Sequence, residues 1–160
     1  MPATRRSGVR TRPLPDWYSS DLSAAYQVLA ACPGHFQVFG LYNNATDGSV
    51  LKVYAVEIYS DTTIGINFSS VDGKAGGTVT TTWGPIDPTL GKPPGLPITV
   101  GSTVQLGTNF GGIEAQQNTP RFFAPGWPFA IVRPNKSFLL QPAQQGTVLI
   151  ATIWWLTATS

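Results

Sequence analysis

Apolar and polar residues alternate along much of this chain with a period of two. From Val50 to Tyr59, Leu51, Val53 and Ala55 fall on one side of an extended backbone, and Tyr54, Val56 and Ile58 on the other. That period belongs to a pleated strand rather than a helix. Phe36 to Tyr42 is a second β-rich run. The residues between them, Asn43-Asn44-Ala45-Thr46-Asp47-Gly48, are dense in turn formers. Two such runs across an Asn/Asp/Gly loop predict a hairpin. Thr62 to Ser69 predicts another strand, closed by Asp72-Gly73, and Thr78 to Trp83 a Thr-rich one. β-Branched threonine suits a half-buried pleated surface. Further strands are expected around Ile98–Leu106, Ala130–Val132, Ser137–Gln141 and Thr147–Thr157.

Two segments depart from this pattern. Residues 84–97 hold Pro85, Pro88, Pro93, Pro94 and Pro97 together with three glycines. Proline lacks the ladder donor, so a long loop or crossover is expected there. Ser20 to Ala31 is Ala-rich, with Ser20 or Asp21 able to cap it and Pro33-Gly34 able to end it. It is the one predicted helix. The last strand carries apolar residues on both faces: Val148, Ile150, Trp154 and Leu156 on one, Leu149, Ala151, Ile153 and Trp155 on the other. Such a strand is central between packed layers, or another subunit covers one of its faces. The expectation is an all-β chain with at most one short helix: a single β-sandwich or jelly roll of about eight strands over residues 20–160, preceded by an extended basic arm over residues 1–19.

Composition narrows the class. Only 11% of the 160 residues are charged, against about 25% in an ordinary soluble domain. Hydrophobic residues make up 42%. Disordered chains need the opposite balance. No apolar run approaches the roughly 18 residues of a membrane-spanning helix. The net charge of +2 hides an asymmetry. Arg5, Arg6, Arg10 and Arg12 lie in the first twelve residues; without them six positive groups face eight negative ones. No apolar stretch follows these arginines, so no secretory leader is expected. An arm rich in Gly, Pro and Ser has no core of its own and is expected to lie across another subunit. Trp17 and Tyr18 at its root are candidate anchors in a neighbour's pocket. Four arginines without interleaved aromatics make a poor nucleic-acid site.

Catalytic chemistry is thinly supplied. His35 is the only histidine and Cys32 the only cysteine, too few for a zinc site of three or four ligands. No nucleophile elbow, P-loop or dinucleotide fingerprint is present. Glu57 and Glu114 would make a glycosidase pair only if the fold set them face to face. The turn at Asn43–Asp47 lacks the EF-hand spacing. No enzyme, cofactor or metal is therefore expected. Trp83 and Trp127 are candidates for a glycan-stacking platform, although aromatics serve cores and subunit interfaces equally well.

Three segments resemble a family. Phe36 to Tyr59, with its strand, Asn-containing turn, Gly48-Ser49 and second alternating strand, is similar to a pattern in tailed-bacteriophage virion proteins. Pro128 to Gln141 looks like their hairpin of apolar strand, proline turn and apolar strand. Gly146 to Leu156 is similar to their closing strand, which often ends near a tryptophan followed by an acidic residue; here Leu156 follows Trp155. The resemblance implies a jelly-roll virion component: a capsid decoration or cement protein on the capsid exterior, made in the host bacterial cytoplasm. The expected partners are the major capsid protein and copies of the chain itself, with a trimer favoured and no membrane partner. The alternative is a carbohydrate- or receptor-binding module of a fibre or tail.

Overall fold

The computed structural model describes residues 21–32, 35–79, 83–101, 107–143 and 148–159. These residues contain no helix. In chain order the strands are β1 (Ser23–Leu29), β2 (Ala31–Cys32), β3 (His35–Phe36), β4 (Val38–Tyr42), β5 (Val50–Ser60), β6 (Ile64–Asp72), β7 (Thr78–Val79), β8 (Trp83–Pro85), β9 (Leu96–Val100), β10 (Thr108–Ala115), β11 (Arg121–Phe123), β12 (Ala130–Val132), β13 (Lys136–Pro142) and β14 (Leu149–Ala158). β2 and β3 form a small hairpin, and the others build two antiparallel sheets. The first sheet runs β11-β5-β14-β1-β8, with β12 also on β5 beside β11; the second runs β10-β6-β13-β4-β9-β7.

Removing the segment from 73 to 101 exposes the plan. The remaining strands give β1-β14-β5-β11/β12 in one sheet and β4-β13-β6-β10 in the other. The chain changes sheet after β1, β4, β5, β10, β12 and β13. This is the jelly-roll order, two interleaved Greek keys. The 73–101 insertion widens both sheets on the same side, adding β8 to one and β9 and β7 to the other.

Inward side chains of both sheets form one core, including Ala25, Leu51, Val56 and Trp155 from the first sheet and Phe39, Ile66, Phe68 and Phe138 from the second. Phe68 is its hub, with ring centroids 5.2–6.2 Å from Phe110, Phe123, Phe129 and Phe138.

Three sequence expectations need correction. The Ser20–Ala31 helix is instead β1. Ser23, Ala25 and Leu29 turn inward while Tyr26 and Val28 turn out, and β14 and β8 pair with the two edges of the strand. Alanine's helix propensity is worth only tenths of a kcal/mol per residue, about what one pairing contact can override. The Thr78–Trp83 strand divides into β7 and β8, which belong to different sheets. The faces of β5 also change partway along. Opposite Trp154 and Trp155 the partner positions are Ala55 and Val53, so β5 carries an extra residue there. Beyond this bulge Val56 and Ile58 join Leu51 and Val53 in the core, and Ala55 turns outward. A bulge shifts the alternation by one, which the two-residue period cannot anticipate.

Candidate functional site

The outer face of the first sheet mixes apolar and polar side chains. Following register, Ala24, Tyr26 and Val28 of β1 lie beside Trp154, Thr152 and Ile150 of β14. Across β5, Phe122 stands opposite Glu57 and Ile131 opposite Lys52. Tyr26 is 45% exposed, Val28 51%, Phe122 54% and Ile131 58%. Phe122 meets Trp154 edge-on, with centroids 5.7 Å apart. Towards one end Leu22 and Ala55 are fully buried among Tyr54, Ala124, Trp154 and Leu156.

A cleft of about 510 Å³ opens at the edge where β10 and β12 leave the two sheets unpaired. Phe110, Phe129 and Phe138 line it beside Asp72, Arg133 and Lys136. Lys136 is ion-paired with Asp72. Phe110 enters this cleft because the β10–β6 register shifts between Asn109 and Gly111. An aromatic wall with a charged rim can bind a partner's side chain.

The 43–49 turn is knotted by its own side chains. Buried Asn43 donates through Nδ2 to the carbonyls of Ser49 and Val132, at 2.9 and 2.8 Å, and accepts the Ala45 N–H. Asp47 accepts the Ser49 N–H, and hydrogen bonds from Ser49 hold its carboxyl below the usual range. Asp87 is lowered likewise by the Thr89 hydroxyl and N–H. Asn44 Oδ1 accepts the Gly95 N–H at 2.8 Å, tying the proline-rich insertion to the turn. Gly95 must be glycine: its φ is +122°, and a Cβ would lie 2.9 Å from Trp155 Nε1.

The structure separates the two candidate glycan-stacking residues. Trp83 is on β8 at one edge of the first sheet, and Trp127 follows Gly126 in the loop between β11 and β12 at the opposite edge. Four strand spacings, roughly 19 Å, lie between those edges. Trp83 packs on Trp155, centroids 6.0 Å apart, with Lys92 Nζ 4.6 Å from its ring centre. Trp127 is 64% exposed. The carboxylates are separated too: Glu57 belongs to the outer face of the first sheet, while Glu114 lies on β10 of the second and accepts a hydrogen bond from Gln116. Among the described residues no cluster of three His, Cys, Asp or Glu could hold a metal, and no helix is long and apolar enough to cross a membrane.

Arg5, Arg6, Arg10, Arg12, Trp17 and Tyr18 lie outside the described residues. The sequence reading missed Tyr26 and Val28, because it placed them on a helix. It also missed Ile131, although it stands on β12 beside inward-facing Val132 and so had to face outward. Comparison with known protein families, curated proteins and solved structures finds no match.

Proposed function

We propose that this chain is a structural component of a bacteriophage virion, a capsid decoration protein that binds major capsid subunits and other copies of itself. The observation that carries this reading is the outer face of the first sheet, where Tyr26, Val28, Phe122 and Ile131 stay about half exposed on a chain with 11% charged residues. A face of this kind serves contact with other protein better than solubility. The segments that resemble phage virion proteins supply β4, β5, β12, β13 and β14, all strands of the jelly-roll core. Jelly rolls carry many functions, so the fold alone does not decide. In this reading Arg5, Arg6, Arg10 and Arg12 pair with acidic capsid groups, and the arm adds a second point of attachment.

The test is the copy number of the chain in purified virions, by quantitative mass spectrometry. Hundreds of copies are expected, and replacing the four arginines by serine should lower that occupancy while the sandwich stays folded. Absence from virions overturns the reading. A handful of copies, with saturable glycan binding that Trp127→Ala abolishes, would assign the chain to a fibre or tail; the exposure of Trp127 is what favours that second reading.

A further inference from the structure

The sandwich has four sheet edges, and among the described residues three of them are guarded. β8 and β7 end the two sheets on one side, and β11 with β12 ends the first sheet on the other; each is two or three residues long. Prolines reinforce them. Pro85 lies in β8, Pro120 and Pro125 stand beside β11, and Pro128 and Pro134 beside β12. Short strands and prolines keep a foreign strand from adding to a sheet. The fourth edge is β10. It runs eight residues, from Thr108 to Ala115, without proline or lysine. β6 pairs with one side of it, and no described strand pairs with the other. The bulge at Asn109 to Gly111 leaves Gly111 to Ala115 in regular register.

The cleft of about 510 Å³ lies at the Thr108 end of this edge, since Ser70, the partner of Thr108, lines it. Its volume falls among those of ligand pockets, about 300–1,000 Å³. Phe110 is 49% exposed and rests on Phe68 and Phe138, with centroids 6.2 and 6.1 Å away. The rest of its ring is open to a guest. On the rim Asp72 is taken up by Lys136. Arg133 also lines the cleft, and it has no ion pair among the described residues. The cleft therefore offers an aromatic floor and one cation without a counter-charge.

A small aromatic acid would fill the cleft and leave the ladder beside it empty. An extended chain can satisfy both. We infer that β10 accepts an added strand from another protein, one that turns a large apolar side chain into the cleft and carries a carboxylate two residues away for Arg133. Residues two apart on a strand share a face, about 7 Å from each other. In this mode main-chain hydrogen bonds supply affinity and alternate side chains supply selectivity. The inference does not rest on the virion reading, and it uses a surface apart from the outer face of the first sheet.

The test titrates the full chain into a fluorescein-labelled peptide, Thr-Val-Asp-Thr-Phe-Thr-Asp-Val-Thr, and reads anisotropy. An aspartate on each side of the phenylalanine serves either strand direction. Saturable binding with Kd below about 1 mM is expected. Arg133→Glu, at an exposed site, should weaken it by about tenfold or more with circular dichroism unchanged. Lysine in place of both peptide aspartates, or serine in place of the phenylalanine, should do the same. Backbone methylation supplies the mark of a ladder. Methylating the alternate amides that face β10 should abolish binding, and methylating the other set should leave it intact. No saturation by about 1 mM overturns the inference. So does equal affinity for the lysine peptide, or an equal response to both methylated sets. Pairing of the chain with itself in sedimentation, reversed by the peptide, would give the edge to a second copy and overturn it too. None of these outcomes bears on copy number in virions, so the two readings fail separately.

Discussion

The two sheets carry similar apolar residues on their outer faces and treat them differently. On the second sheet Val38, Ile98 and Leu139 are almost wholly buried, with Val71, Ala75, Val79, Val100 and the ring of Tyr42 packed against them. On the first sheet Tyr26, Val28, Phe122 and Ile131 stay about half exposed. Burying a Val, Leu or Ile side chain contributes about 1.5–3 kcal/mol. The second sheet realises that gain within the described chain, and the first holds it in reserve for a partner. What separates the faces is how closely their side chains are packed, not composition. Gly76 and Gly77 both have φ near +80°, so the chain can turn there into β7, whose Val79 pairs with Ile98 of β9.

The comparison can be broken most decisively on the covered side. Leu139→Ala removes a fully buried side chain of that face and should cost about 3 kcal/mol in urea unfolding. A cost below about 1 kcal/mol would mean that this face packs loosely. Gly77→Ala attacks the turn into β7. Its Cβ would sit 1.9 Å from the Thr99 carbonyl oxygen, at a positive φ. Strain of this kind costs about 1–3 kcal/mol, and amide exchange should quicken at Thr78 and Val79 if the segment lifts. On the open side Val28→Thr keeps the shape of the side chain at a half-exposed site and should change stability by no more than about 0.5 kcal/mol. A loss as large as that of Leu139→Ala would show Val28 to be buried in solution and the two faces to be alike.

Much of the sandwich was legible in the sequence because its long strands alternate. β5, β6, β13 and β14 were visible as strands, as was the turn after Tyr42. The double-sided apolar pattern of β14 showed that an outer face would need cover, and the structure divides its residues as read: Leu149, Ala151, Ile153 and Trp155 point into the core. Three things escaped. β1 was hidden by alanines, whose helix preference is outweighed by pairing partners more than a hundred residues away. β10 was hidden by Asn109, Gly111 and Gly112, residues common in loops; here glycine is required at 112, where a Cβ would lie 2.6 Å from the Ile66 carbonyl oxygen. The bulge in β5 was hidden because it depends on β14. The open face was missed for the same reason as β1, since its near edge lies on that strand. Trp83 and Trp127 could be named as candidates for glycan stacking, but only the sheet order shows that they stand at opposite edges.

The pairing of β1 with β14 also bears on the timing of folding. Ser23 to Leu29 meet Trp155 to Leu149, so β1 waits for a strand more than a hundred residues later before it finds this neighbour. Contacts of such separation slow folding, because loop closure must precede the reward. On a ribosome the chain emerges N-terminus first, so the strand bearing Tyr26 and Val28 is made well before β14. The outer face they build together exists only once β14 has joined it, and until then one edge of β1 lacks its partner.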